Sequence, residues 1–305
     1  MSRQRVTVVE VGPRDGLQNE AAILSADVKV AFVDALSAAG LPVIEATAFV
    51  SPKTIPQLAD GEDVFRRIAK RPGVRYPVLV PNEKGLDRAL AAGVREIAVF
   101  TAASETFNRR NINASIDESF ARFAPVLARS RAAGVRVRGY VSCAFGCPYE
   151  GPIAPEAVAR VAGRLVEIGC AEVSVGDTIG IGVPTQVPEV VARAVEAGVP
   201  IEQLALHFHD TRGTALANVA EGLREGVRIF DSSAGGLGGC PYAPGAAGNV
   251  ATEDLLWMLD GMGYETGVDL AAVAGASRVL SAAIGRRPVS RVFQALDGAA
   301  AKRPV

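Results

Sequence analysis

The chain has only two histidines in 305 residues, His207 and His209, with Phe208 between them. Side chains alternate faces along a β-strand, so both imidazoles lie on one side and Phe208 on the other. Leu204-Ala205-Leu206 before the pair and Asp210-Thr211 after it fit a buried strand that ends in a polar loop. A chain so poor in histidine that spends its whole supply on one such pair is read as binding a metal there. Two core histidines with ordinary hydrogen bonds are the plainer alternative. Asp15 is a candidate oxygen ligand, and Asn249 could add an amide carbonyl. Two imidazoles with two oxygens leave positions open for substrate, whereas a closed structural zinc site uses four protein ligands, usually with thiolates. Mg²⁺ or Mn²⁺ suits this donor set, and Zn²⁺, Co²⁺ and Fe²⁺ are also compatible with it.

Other residues extend the set. Arg14 stands next to Asp15, a permanent cation suited to a developing oxyanion or enolate, or else one half of a surface ion pair. Pro13-Arg14-Asp15-Gly16 also reads as a β-turn. Glu45 and Asp177 are candidates for orienting the ligands, with helix-capping loop carboxylates as the alternative. The run Gly235-Gly236-Leu237-Gly238-Gly239-Cys240-Pro241-Tyr242 is glycine-rich, so it can approach a ligand closely or move as a lid, and its thiol is accessible. It lacks the Lys-Ser/Thr ending of a phosphate-binding loop, which argues against nucleotide hydrolysis. Cys143, Cys147 and Cys170 are read as small buried hydrophobes.

The elements that must position these residues repeat along the chain. Candidate strands at 6–11, 42–48, 75–80, 95–100, 135–141, 171–176, 203–209 and 227–232 alternate with helices near 26–39, 61–70, 83–92, 116–132, 155–168, 185–197, 213–224 and 251–261. Gly40, Gly93, Gly134, Gly169, Gly198 and Gly226 each follow a helical stretch, the usual position of a left-handed cap. Such alternation implies a parallel sheet. No Gly-x-Gly-x-x-Gly turn follows the first strand, and eight units over about 260 residues predict a closed (β/α)₈ TIM barrel rather than a dinucleotide fold. An additional C-terminal helix is expected at about 269–285, so residues 1–305 read as one barrel domain with its barrel at about 6–261. Active sites of such barrels lie at the C-terminal ends of the strands. Arg14, Asp15, Glu45, Asp177, His207, His209, Cys240 and Asn249 all fall at that end.

Bulk properties exclude several classes. A formal net charge of −1 gives no electrostatic case for nucleic acid or an anionic membrane. No apolar run reaches the roughly 20 residues needed to span a bilayer, and the first strand follows Arg5 without a signal peptide. A cytoplasmic protein is expected.

The run Val11-Gly12-Pro13-Arg14-Asp15-Gly16-Leu17-Gln18-Asn19-Glu20 resembles the opening motif of the 3-hydroxy-3-methylglutaryl-CoA lyases. The resemblance continues through Ile44-Glu45, Phe49-Val50-Ser51-Pro52, Ala103-Ser104-Glu105, Asn111-Ile112-Asn113, Tyr140-Val141-Ser142-Cys143, Gly146-Cys147-Pro148-Tyr149-Glu150-Gly151 and Gly176-Asp177-Thr178-Ile179-Gly180. It ends in His207-Phe208-His209-Asp210-Thr211, Gly238-Gly239-Cys240-Pro241-Tyr242 and Gly248-Asn249-Val250. It implies a divalent cation held by Asp15, His207, His209 and Asn249, and retro-Claisen cleavage of an acyl-CoA thioester to acetyl-CoA and acetoacetate. It further implies that Asp15 or His207 relays the hydroxyl proton, that Arg14 stabilises the thioester enolate, that Cys240 protonates it or closes the site, and that Glu45 supports catalysis. A homodimer is implied as well, with CoA reaching the barrel mouth along surface loops. Ala21, Arg212 and Thr214 depart from the family pattern and bear on which acyl group is held. A lyase for a related 3-hydroxyacyl-CoA such as citramalyl-CoA is therefore one alternative. A condensing synthase of the isopropylmalate or citramalate type and a non-catalytic metal-binding barrel are two others. The Cys240 loop and the short stretch of chain beyond residue 285 count against the synthase.

Overall fold

The computed structural model describes residues 3–51, 53, 55–239 and 248–301. Eight parallel strands form the centre: β1 (Thr7–Glu10), β2 (Val43–Ile44, continuing as Thr47–Ala48), β3 (Val78–Leu79), β4 (Glu96–Ala102), β5 (Arg136–Ser142), β6 (Glu172–Asp177), β7 (Leu204–Phe208) and β8 (Ile229–Ser232). Each pairs with its sequence neighbours, and β8 returns to β1. The two halves of β2 close the ring between β1 and β3. The Glu45 amide donates to Glu10 O at 2.8 Å, and the Ala46 amide donates to Pro77 O at 2.9 Å. The expected (β/α)₈ barrel is therefore the observed fold.

Helices α1 (Ala26–Ala38), α2 (Gly61–Arg67), α3 (Glu83–Ala91), α4 (Glu105–Ile112), α5 (Ile116–Ala132), α6 (Pro155–Glu167), α7 (Val187–Glu196), α8 (Ala215–Arg224) and α9 (Thr252–Gly261) surround it, followed by α10 (Leu270–Ile284) and α11 (Arg291–Ala301). Helices α1, α3, α4, α5 and α10 start on a side-chain cap. Ser115 accepts from the Glu118 amide at 3.0 Å while Glu118 accepts from the Ser115 amide at 2.6 Å, which satisfies two otherwise orphaned donors. All six glycines read as caps have positive φ. Helix α10 matches the expected C-terminal helix, whereas α11, α4 and a small hairpin (Gly146–Cys147 with Gly151–Pro152) lie outside the sequence expectations. Helix α4 carries few apolar residues, so its hydrophobic period is faint. It sits in the loop after β4 and lines the barrel mouth with Phe107 and Arg110. Among the described residues no helix is long and apolar enough to cross a membrane.

Alternation sorts the strand residues. Leu204, Leu206 and Phe208 pack outward among the helices, with the Phe208 ring 5.6 Å from that of Phe145. His207 and His209 take the opposite face, as the spacing predicts. In β5 the same rule sends Arg136, Arg138 and Tyr140 into the barrel, where they meet Glu172 and Asp231. Phe208 thus anchors the strand that presents both imidazoles. Truncating it to alanine removes a fully buried ring at a cost of about 3–5 kcal/mol. Phe208→Ala is expected to lower the chemical-denaturation stability by that amount, and an unchanged midpoint would contradict the outward anchoring.

Candidate active site

The first site segment is a wide helical turn, Gly12–Gly16, rather than a β-turn. The Val11 carbonyl accepts from the amides of Arg14 (3.2 Å), Asp15 (2.7 Å) and Gly16 (3.1 Å). Such widened turns recur at functional sites because they re-aim consecutive side chains. A Cβ on Gly16 would lie 2.8 Å from Ser233 Oγ and 2.9 Å from Leu237 Cβ, so only glycine lets this turn press against the segment after β8. Glu10 ties the two together. Its carboxylate accepts from the amides of Gly12 (2.8 Å) and Ala234 (3.0 Å) and from the Thr252 hydroxyl (2.7 Å).

From this turn Asp15 reaches the histidine pair, and ligand atoms of Asp15, His207 and His209 lie within 4.8 Å of one another. Asn249 joins them because residues 248–250 run beside the end of β7. The Asp210 amide donates to Gly248 O and the Val250 amide to Phe208 O, which sets Asn249 opposite His209. Asn249 Nδ2 donates to Asp15 Oδ2 at 3.0 Å and to Leu237 O at 3.1 Å. That leaves Asn249 Oδ1 buried and without a hydrogen-bond partner among the described residues, and His209 Nδ1 is in the same condition. Buried acceptors are rarely left so. An orphaned amide oxygen and an orphaned imidazole nitrogen beside a carboxylate fit a cation.

The protonation states agree. Burial pushes the Asp15 carboxyl up, but Arg14, His207 and His209 outweigh it and hold the group below its ordinary range. Burial, then the neighbouring His207, brings His209 down to about 4, so its ring is neutral at neutral pH and can donate a lone pair.

Arg14 is buried and held by two carboxylates, while its Nε has no hydrogen-bond partner among the described residues. It bonds Asp15 Oδ1 and Glu45 Oε2, both at 2.8 Å, and lies 5.5 Å from the centre of the Tyr140 ring. Tyr140 also donates to Glu45 at 3.1 Å. Glu45 therefore orients Arg14 and makes no hydrogen bond to a histidine. Asp177 differs from its expected duty. Its carboxylate accepts from the Ile181 (3.1 Å) and Gly182 (2.8 Å) amides and so holds the loop after β6, capping no helix. The carboxylate that bonds a histidine is Asp231, 3.2 Å from His207 Nδ1. The sequence reading missed Asp231 and its partner Arg138. The available signal was their position at inward-facing sites of strands.

These groups open on a cavity of about 880 Å³ whose walls include Arg14, Asp15, His207, His209, Asn111 and Gly239. The departing residues lie elsewhere. Arg212 donates to Ile179 O and Gly180 O, both at 3.0 Å, and Thr214 donates to Gly182 O at 2.9 Å, so both brace the loop after β6. Neither they nor Ala21 line the cavity. Cys143, Cys147 and Cys170 are buried, as expected. Cys240 lies outside the described residues.

Fold and site define a (β/α)₈ barrel with a candidate metal site at its C-terminal mouth. A family model described as HMGL-like matches residues 5–280, and the chain belongs to that family. It is 56% identical over 302 residues to the hydroxymethylglutaryl-CoA lyase of Pseudomonas mevalonii, covering 98% of this chain and 99% of that one. The crystal structure of hydroxymethylglutaryl-CoA lyase from Pseudomonas aeruginosa superposes with a TM-score of 0.95 at 52% identity, covering 98% and 99% of the two chains. An HMG-CoA lyase from Acenitobacter baumannii, in complex with coenzyme A and 3-methylmalate, gives a TM-score of 0.91 at 40% identity over 95% of each chain.

Glu10 makes the site's mounting sensitive to pH. Burial, offset in part by its three hydrogen bonds, raises its carboxyl from 4.5 to about 7. The folded protein then keeps a proton that the unfolded chain releases, so stability falls as pH rises across that window, by about 3 kcal/mol. Glu10→Gln is expected to flatten this decline in denaturation curves recorded between the two pH values. An equally steep decline in the variant would refute the assignment.

Proposed function

We propose that this chain cleaves 3-hydroxy-3-methylglutaryl-CoA to acetyl-CoA and acetoacetate. The observation that carries this reading is the meeting of Asp15, His207 and His209 beside a clamped Arg14 on one open cavity. Kinship at 56% identity with a lyase of that name supports it, and a relative that holds coenzyme A supports an acyl-CoA thioester as the partner. Asp15, His207, His209 and Asn249 would hold a divalent cation, Mg²⁺ or Mn²⁺. When bound, it acidifies the tertiary hydroxyl and fixes the distal carboxylate.

The chain's own groups supply the rest. Asp15 or His207 accepts the hydroxyl proton as the carbon–carbon bond breaks and its electron pair passes to the thioester α-carbon. Arg14, aimed by Glu45 and Tyr140, offers a guanidinium to the enolate oxygen without needing to reorganise. Cys240 protonates the α-carbon or closes the site. Ala21, Arg212 and Thr214 stand away from the cavity walls, which favours the 3-hydroxy-3-methylglutaryl thioester over citramalyl-CoA. In this reading residues 1–305 act as one catalytic domain, working as a cytoplasmic homodimer.

With Mg²⁺ or Mn²⁺ and 3-hydroxy-3-methylglutaryl-CoA, the protein is expected to release acetoacetate and acetyl-CoA in equal amounts. Turnover of citramalyl-CoA alone would move the proposal to the related lyase, and consumption of acetyl-CoA with a 2-oxoacid would move it to the synthase. Arg14→Gln is expected to lower kcat by about 10²–10³-fold, the usual effect of removing one oxyanion donor, and Cys240→Ser to remove most turnover. Near-normal kcat in both would sink these roles.

A further inference from the structure

Asp231 and Arg138 lie beneath the mouth cavity and do not line it. Asp231 stands directly opposite His207 in the pairing of β8 with β7. Its carboxylate is gripped on every side. Arg138 Nη2 donates to Oδ1 at 2.6 Å and Nη1 to Oδ2 at 3.2 Å, while Ser174 Oγ donates to Oδ2 at 2.9 Å. A two-armed guanidinium fixes both the position and the plane of a carboxylate. Arg138 is itself held by Glu172 at 2.6 Å and by the Tyr140 hydroxyl, also at 2.6 Å, so the clamp cannot swing.

An ionised carboxylate can only accept hydrogen bonds, so its contact with His207 Nδ1 requires the proton to be on that nitrogen. The ring's one remaining lone pair is then on Nε2. A histidine bonded in this way to a metal has no nitrogen left to take a proton.

We propose that Asp231, clamped by Arg138, is a positioning residue that locks His207 in the Nδ1–H tautomer and commits its Nε2 to the metal. His207 is thereby removed from proton transfer. The substrate hydroxyl proton is left to Asp15, whose carboxylate oxygens keep lone pairs beyond the bonds to Arg14 and Asn249. This rests on the metal reading given above.

Two measurements test it. Nitrogen NMR on metal-free, histidine-labelled protein at alkaline pH reads the tautomer without any substitution in the clamp. His209→Gln assigns the two rings, since the chain has only two histidines. The expected result is a protonated Nδ1 and an unprotonated Nε2 on His207, and the opposite tautomer overturns the proposal. Mn²⁺ titration followed by electron paramagnetic resonance then compares the unsubstituted protein with Asp231→Asn. The expected loss of affinity is about 10–100-fold, typical of removing a ligand's outer partner. Unchanged affinity in Asp231→Asn overturns the positioning role while leaving the metal centre standing. Failure of the unsubstituted protein to bind Mn²⁺ overturns the metal centre and this inference with it. Should Asp231→Asn fail to fold, the tautomer measurement decides alone.

Discussion

The Arg138 guanidinium, sealed inside the barrel, is the interaction on which the site depends. It is 1% exposed and contacts Glu172, Asp231 and Tyr140. A buried cation of this kind is tolerable only when fully paired, and removing one partner of such a pair costs about 3–5 kcal/mol. Its electrostatic demand organises the lumen in two directions. Through Asp231 it reaches His207, and through Tyr140 and Glu45 it reaches Arg14 and then Asp15. Below it, Glu172 links to Arg136, and Arg136 to Glu96. Strand register makes the ladder, since Arg138 pairs across from Glu172 and His207 from Asp231.

The consequence is preorganisation. Arg14 and His207 are held by two carboxylates that do not line the cavity, Glu45 and Asp231. Burial, outweighed by Arg138 and then by the bond to His207, leaves the Asp231 carboxyl at about 2. It therefore stays charged over the working pH range. The polar lumen is thus set apart from the helix-packed apolar layer, where Leu206, Phe208 and Phe230 sit. Chemistry and stability use opposite faces of the same strands, as barrels of this class allow.

Much of this was legible in the sequence. All eight strands and the eight helices expected between and after them appear, because alternating periods mark the elements and glycine caps mark six of the helix ends. The histidine pair, Asp15, Arg14 and Asn249 were brought together by the convergence of strand ends and by the family motifs that carry them. Asp231 and Arg138 escaped for a physical reason. A carboxylate at a strand's end reads like any loop residue, and Arg136-Val137-Arg138 reads like a solvent-facing edge until the ring closes around it. Asp177 was given an orienting duty because it sits at the correct end of β6. Only hydrogen-bond geometry reveals that its oxygens are taken by loop amides. Helix α11 carries no chemistry-bearing motif, and Cys240 lies outside the described residues.

The central claim is that both imidazoles bind one divalent ion. Electron spin-echo spectroscopy of the Mn²⁺-loaded protein tests it most directly, because it reads the nitrogen nuclei bonded to the ion. The account predicts couplings from two imidazole nitrogens, one set lost in His207→Ala and the other in His209→Ala. Bound Mn²⁺ with no nitrogen coupling would contradict it.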